Sequence, residues 1–377
     1  MNVPDVFSTP SRLCLFGEHQ DYLGLEVVAV AIDLRFSARV VKQPVPVIHI
    51  AIRDSKLDRL DSVNDANQYE FLAIDLNEPI RYTSKRDYLR SSVRVLQKHG
   101  YPLTGLDIRM DSQIPIGKGM CSSSTMIVVL IKAILSSIGS PDSEDPRKIA
   151  ELAFQAEVTE FDEPGGRMDH YTSALGGMVH LDFGGDFKIT PLSSRLDGCL
   201  ILFDSLEQKN TTQVLAAAKV PTQEALALLA SDGIRSVRDF FRPDGTRDEV
   251  RLALLAKLDP ARRRALDANI DNYALLKRGL AMLQEETIDN RRLGELLSAH
   301  HARLRDGLGI STPTLEKILD TALAHGAWGG KVNGSGGGGC CFVYADPADA
   351  PAIMAAVEQL GYPSRLLRQD SGVRRDA

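Results

Sequence analysis

Glycine and serine are concentrated in one run, Pro115-Ile116-Gly117-Lys118-Gly119-Met120-Cys121-Ser122-Ser123-Ser124, which leads into the apolar stretch Met126-Ile127-Val128-Val129-Leu130-Ile131. Residues of these types suit a loop that grips an anion and opens a helix. Glycine lets backbone amides approach a phosphate closely, and the free amides at a helix N-terminus carry the positive end of its dipole. Serine hydroxyls add donors or metal ligands. A polar turn ahead of a buried helix has the same composition, so the run alone leaves both readings open. A second cluster, Lys331-Val332-Asn333-Gly334-Ser335-Gly336-Gly337-Gly338-Gly339-Cys340, lies far downstream. Gly334, Gly336 and Gly339 satisfy GxGxxG, but they precede the strand-like Cys340-Cys341-Phe342-Val343-Tyr344, whereas a dinucleotide fingerprint follows a strand and opens a helix. Neither Gly117-Lys118 nor Gly330-Lys331 is followed by Ser or Thr, which removes the Walker A reading.

These loops need rigid neighbours, and the periodicity supplies them. Leu106 to Met110 alternates like a strand leading into the serine run, and Tyr88 to His99 before it has helical spacing at Leu89, Val93 and Leu96. Arg12 to Phe16, Val27 to Ile32 and Leu34 to Val41 predict an N-terminal sheet. Ile149 to Glu157 reads as an amphipathic helix and Met178 to Phe183 as a strand. From about Leu192 the pattern changes to a buried-type strand, Cys199 to Phe203, followed by long helical stretches through Ala230, Leu252 to Leu258, Ala265 to Leu283 and Leu293 to Leu308. The last part reads as a helix from Leu315 to His325, the second glycine cluster, a strand and a helix from Pro351 to Leu360. Strands and helices are segregated rather than strictly alternating, which predicts an α+β protein. The boundary is expected near residue 190, giving domains 1–190 and 191–377, with the tail after Asp370 loose.

Composition narrows the function classes. With 377 residues, 44% hydrophobic and 25% charged, the chain can bury a substantial core. A formal charge of -6 and a pI near 5.8 argue against a nucleic-acid footprint. Arg262-Arg263-Arg264 and Arg374-Arg375 read as solvated surface. Five cysteines show no zinc spacing and are odd in number, which points to a reducing cytoplasm rather than a disulfide framework. No basic leader precedes an apolar core, and no apolar run has the length of a membrane span. No motif reads on oligomeric state.

Taken with Ser11-Arg12-Leu13-Cys14-Leu15-Phe16-Gly17-Glu18-His19-Gln20-Asp21-Tyr22, the two glycine clusters resemble the GHMP family of small-molecule kinases, galactokinases in particular. That family carries a GRxNLIGEHxDY-like signature, a PxGxGLSSSA-like phosphate loop and a TGxGxGGC-like loop in this order, and the resemblance runs from about Arg12 to Tyr344. It implies a two-domain α+β architecture, an N-terminal ribosomal-protein-S5-like domain and a C-terminal ferredoxin-like domain, with ATP and Mg²⁺ bound in the cleft. The implied activity is phosphoryl transfer to a sugar hydroxyl, the anomeric one, and the implied partners are a small sugar and ATP. Mevalonate or another polyol is the alternative acceptor, and a catalytically silent sugar sensor is the alternative of another class.

The same resemblance assigns roles residue by residue. Glu157 to His170 is similar to the galactokinase stretch ending in a GIMDQ-like sequence, which makes Asp169 the residue facing the acceptor hydroxyl and Glu157, twelve residues earlier, a magnesium ligand. One carboxylate orients or deprotonates the hydroxyl while the other gives a hard cation an oxygen. Arg12 matches the arginine that holds the catalytic carboxylate ionised. Glu18, His19 and Asp21 match positions that contact sugar hydroxyls, and Gly166 falls with them. Ser123 matches the serine that reaches magnesium; Gly117, Lys118, Gly119 and Ser122 form the expected phosphate cradle, with Gly334 and Gly336 from the third motif. Mevalonate kinases share Gly-Glu-His but lack the following Asp-Tyr, so Asp21 favours a sugar. There are departures: Leu23-Gly24-Leu25 replaces Asn-Gly-Gly, His170 replaces the Gln after Met-Asp, and the Tyr-x-x-Arg-Arg element after Phe203 is missing. His300 and His301 read as helix-packing residues.

Overall fold

The computed structural model describes residues 3–53, 69–115, 117–163, 165–193, 195–209 and 211–377. Ile116 and Pro164 of the segments quoted above lie outside the described residues. In the first half, the chain forms β1 (Asp5–Phe16), β2 (Glu26–Lys42), β3 (Val47–Arg53), β4 (Tyr69–Asp75), α1 (Tyr88–Lys98), β5 (Leu106–Ser112), α2 (Ser122–Ser137), α3 (Pro146–Glu157), α4 (Met168–Leu175), β6 (Met178–Asp182) and β7 (Lys188–Leu192). The two strands expected between Val27 and Val41 are one strand. β2 pairs with β1 along one flank, and along the other its N-terminal half takes β6 and its C-terminal half takes β5. β3 joins β5 in parallel and β4 closes that edge. Helix α2 is buried along its apolar run Ile127 to Ile131, as a helix that is hydrophobic all round must be, and packs on β1 and β2 with α1, α3 and α4 around it. This clamps the serine loop between a sheet and a core helix.

The second half contributes β8 (Cys199–Asp204), α5 (Thr211–Leu229), α6 (Glu249–Leu252), α7 (Pro260–Met282), α8 (Asn290–Asp306), α9 (Pro313–Ala324), β9 (Gly329–Val332), β10 (Cys340–Ala345), α10 (Ala350–Glu358), β11 (Ser364–Leu367) and β12 (Arg374–Arg375). An antiparallel sheet in the order β11-β8-β10-β9 is covered by α8, α9 and α10 around a core of Phe203, Ile318, Val343 and Ile353. The arrangement is the α+β one that segregated elements predict. Where the first sheet meets α7, the buried Glu26 accepts from Tyr273 at 2.8 Å and Lys277 at 3.0 Å, with His180 of β6 at 2.8 Å and Arg238 at 3.2 Å. Burial alone would raise this carboxyl, but the donors bring it down to about 2.

Residue 190, where the boundary was expected, falls inside β7, which ends at Leu192 before the chain enters β8 of the second sheet. The tail is a correction to the expectation. Beyond Asp370 it docks on the first sheet, Arg374 and Arg375 pairing with Ser8 and Phe7, and Val6 donating to the Ala377 carbonyl at 2.8 Å. The free edge of β1 offers unpaired amides and carbonyls that the tail satisfies, and Arg35 ties it down through Asp370 at 2.6 Å. No helix among the described residues is long and apolar enough to cross a membrane.

Candidate active site

Three distant segments are stitched together around Asn333. Its Oδ1 accepts from the Cys14 amide at 3.0 Å and its Nδ2 donates to the Gly119 carbonyl at 3.0 Å. Ser11 donates to the Met120 carbonyl at 2.8 Å, and the Cys340 amide donates to the Lys118 carbonyl at 2.9 Å. The approach is close enough to demand glycine: a Cβ on Gly334 would lie 2.4 Å from the Gly119 carbonyl oxygen. The first strand, the serine loop and the third motif therefore form one rigid floor.

On that floor stands a charge pair. Arg12 from β1 donates through Nε to Asp169 Oδ1 at 2.8 Å, with Nη2 2.7 Å from the same oxygen, and through Nη1 to the Gly119 carbonyl at 3.1 Å. Burial disfavours the Arg12 charge, but Asp169, with Cys121 and Glu18, outweighs it and raises the group above the ordinary arginine range. Asp169 sits in the first turn of α4 and keeps 28% exposure, so its carboxylate is both anchored and open to the cleft. Beside it, Asp21 accepts from the Tyr22 amide at 2.9 Å. Burial, and then the charge of Asp169, push the Asp21 carboxyl up to about 6. A Cβ on Gly166 would fall 1.8 Å from Asp21 Oδ2, so this glycine exists to let the carboxylate lie against the backbone.

Glu18 and His19 complete the polar group. Glu18 pairs with Lys331, both almost fully buried, at 2.8 Å, and Lys331 also donates to the Cys14 carbonyl at 2.9 Å. His19 has φ of 64°, a left-handed conformation unusual for a residue with a side chain. Its Nε2 donates to the Ser335 carbonyl at 3.1 Å and its Nδ1 accepts from the Tyr22 hydroxyl at 2.8 Å. Burial lowers its pKa to about 4, which leaves the neutral tautomer those partners require.

The serine loop enters α2 through Cys121, also left-handed at φ of 47°, and α2 begins at Ser122. Glu157, at the end of α3, accepts at Oε2 from Ser124 at 2.6 Å and from His170 Nε2 at 2.7 Å. Burial pushes this carboxyl up, but His170, Ser123 and Ser124 together hold it below the usual range.

The resulting cleft of about 440 Å³ is lined by Arg12, Glu18, His19, Asp21, Gly117, Gly119, Ser122, Ser123, Glu157, Gly166, Asp169 and Gly334. Two expected residues face elsewhere. Lys118 turns to the C-terminal half, pairing with Asp204 at 3.0 Å and donating to the Glu207 carbonyl at 3.2 Å. Gly336 packs against Ile310. Two residues escaped the sequence reading: Tyr88, which lines the cleft as do the apolar Ile52 and Met126, and Lys209. The Lys209 Nζ is buried without a hydrogen-bond partner among the described residues, and a Cβ on Gly119 would lie 2.6 Å from it. Burial lowers its pKa to about 8. His300 stacks on Phe16 at 6.0 Å and His301 pairs with Glu316 at 2.8 Å, both as packing residues.

Known proteins share these segments. Residues 87–177 match the family described as GHMP kinases N terminal domain, residues 276–363 GHMP kinases C terminal, and residues 2–41 the galactokinase galactose-binding signature. A galactokinase of Streptomyces coelicolor is 29% identical over 364 residues, covering 94% of this chain and 87% of its own length. A mevalonate kinase of Thermococcus sibiricus is 24% identical, covering 94% and 92%. Among solved structures, Lactococcus lactis galactokinase complexed with galactose superposes with a TM-score of 0.81 at 19% identity, covering 99% of this chain and 95% of that one. Methanococcus jannaschii mevalonate kinase superposes at 0.70 with 19% identity, covering 97% and 98%.

Proposed function

This chain belongs to the GHMP kinase family, and from that premise we propose that it transfers the γ-phosphate of ATP to a hydroxyl of a small sugar, the anomeric one, as galactokinases do. The observation that carries the reading is the Arg12–Asp169 pair held between the serine loop and the polar group Glu18, His19 and Asp21. The serine loop, with Gly117, Gly119 and Ser122, takes the phosphates on its amides and hydroxyls. Lys209 adds a buried cation behind it. Tyr88, Ile52 and Met126 give the cleft lining apolar surface, which suits the purine base.

Asp169 receives the acceptor proton while the acceptor oxygen forms its bond to the γ-phosphorus. The bond from that phosphorus to the β,γ-bridging oxygen breaks, and ADP leaves with the electron pair. Arg12, a permanent cation, fixes the orientation of the Asp169 carboxylate throughout. Glu18, His19 and Asp21 orient the sugar by its hydroxyls.

The described residues contain no cluster of three or more metal-ligating side chains, and magnesium needs none: it takes one or two protein oxygens and fills the remaining positions with phosphate and water. The residues present fit it, because Glu157 is held ionised with Ser123 alongside. Those two would hold the ion, which when bound neutralises charge on the phosphates. All five cysteines are free, which suits a reducing compartment.

A screen of ADP release over aldoses, uronic acids and mevalonate tests the reading. Turnover with at least one sugar and none with mevalonate is the expected outcome. Turnover with mevalonate alone transfers the chain to the alternative acceptor, and no turnover with any acceptor, alongside tight sugar binding, makes it a sensor.

A further inference from the structure

Glu157 ends α3, and a carboxylate there swings freely unless something grips it. Three donors do. His170 from α4 and Ser124 from α2 both bond Oε2, and the Ser123 hydroxyl also bonds the carboxylate. The His170 ring is 2% exposed and stands edge-on to Phe154 at 5.7 Å and 88°. Its Nδ1 is buried and has no hydrogen-bond partner among the described residues, so its polar contact is the one with Glu157. Both Oε2 donors are departures from the resembled pattern. Histidine stands where the GIMDQ-like stretch has glutamine, and Ser124 stands at the final alanine of the PxGxGLSSSA-like loop. Two independent departures converge on one carboxylate oxygen.

We propose that His170 is a positioning residue that grips Glu157 by Oε2 and so fixes the orientation in which this carboxylate, with Ser123 beside it, would meet the divalent cation of the nucleotide complex. The inference rests on Glu157 being a cation ligand, as proposed above. Its physical basis is that a ligating carboxylate loses orientation when its outer hydrogen bond goes, which lowers metal affinity by roughly 10- to 100-fold. An imidazole wedged against Phe154 has two torsions to freeze, against three for glutamine, so it holds its N–H at lower entropic cost.

The test measures Mn²⁺ affinity by electron paramagnetic resonance, with the non-hydrolysable nucleotide AMP-PNP bound to the intact protein. His170→Phe keeps the volume and the Phe154 contact but has no donor, and it should weaken Mn²⁺ by roughly 10- to 100-fold without changing sugar affinity. His170→Gln restores a donor and should recover most of the loss. His170→Met, which fits irregular space without an N–H, serves the same comparison if the phenylalanine variant does not fold. Unchanged Mn²⁺ affinity in the donor-free variants, with Glu157→Gln still weakened, would reduce His170 to packing and overturn the proposal. Unchanged affinity in Glu157→Gln would overturn it together with the metal reading. Weakened Mn²⁺ binding in a protein that phosphorylates no sugar supports the proposal while removing only the acceptor assignment.

Discussion

Asp21 offers the sharpest test, because the structure gives it a cost and a use that respond oppositely to one mutation. Its carboxyl moves from 3.8 to about 6 on folding, driven by burial and by Asp169. The unfolded chain therefore releases this proton more readily than the folded one. The contribution of Asp21 to stability is complete below pH 3.8 and is lost as pH rises through about 6. The full shift corresponds to about 3 kcal/mol, an upper bound that relaxation around a carboxylate at the edge of the cleft reduces to roughly 1–2 kcal/mol. Asp21→Asn removes the charge while keeping an oxygen for the Tyr22 amide. In urea unfolding the variant should be more stable than the parent by that amount at pH 7.5 and equal to it at pH 3.5. Function should move the other way. A carboxylate accepting from a sugar hydroxyl is worth roughly 1.5–3 kcal/mol, so the sugar KM should rise about 10-fold or more while the ATP KM holds. In the parent, about nine-tenths of Asp21 is ionised at pH 7 and about one-tenth at pH 5, which predicts a roughly 10-fold fall in sugar kcat/KM across that window, absent from the variant. Equal stabilities at both pH values, or the same acid fall in parent and variant, would refute the placement of Asp21.

Other expectations follow from the same geometry. Asp169→Asn keeps the Arg12 contact in shape but removes the proton acceptor, so single-turnover product formation should slow by roughly 100-fold or more with ATP affinity intact; near-normal turnover in the folded variant would end its catalytic assignment. Gly166→Ala places a methyl 1.8 Å from Asp21 Oδ2 and must displace that carboxylate, so the sugar KM should rise while the ATP KM stays level, and a rise in both would mean a wider collapse of the loop. Lys209→Met removes a buried ammonium that has no hydrogen-bond partner among the described residues. ATP affinity should fall by about 10-fold. Stability should rise at pH 7, where the lysine with its pKa lowered to about 8 is still charged, and the gain should vanish above pH 10.5. An unchanged ATP affinity assigns Lys209 to packing.

The features legible in the sequence are those whose physics is local. A loop that takes phosphates, as proposed for Gly117 to Ser124, works through consecutive amides and hydroxyls ahead of a helix, and the structure does start α2 at Ser122 directly after this run. The pair Glu157 and Asp169 was singled out only through its resemblance to the GIMDQ-like stretch, and the helix α4 that carries Asp169 was not read, because its eight residues are too few to show a period. The helices α7 and α8 announced themselves by length, and the short strands β5, β6, β8 and β10 by alternation or a compact apolar run, whereas β3 and β4 were not read.

What tertiary structure alone decided is partner choice across long separations. Lys118 belongs to the phosphate loop by sequence, yet its ammonium goes to Asp204, because the Cys340 amide bonds its carbonyl and directs the loop toward the second sheet. Gly336 sits in a phosphate-like motif but is glycine for the sake of Ile310. Lys209 was given no role from its place in the sequence and becomes significant only because folding brings its buried ammonium close to Gly119. His170 and Glu157, and Asp21 and Gly166, meet for the same reason. Backbone chemistry is written in neighbouring residues, whereas the burial and pairing of a charge depend on elements packed from distant parts of the chain, and no spacing within one segment encodes them.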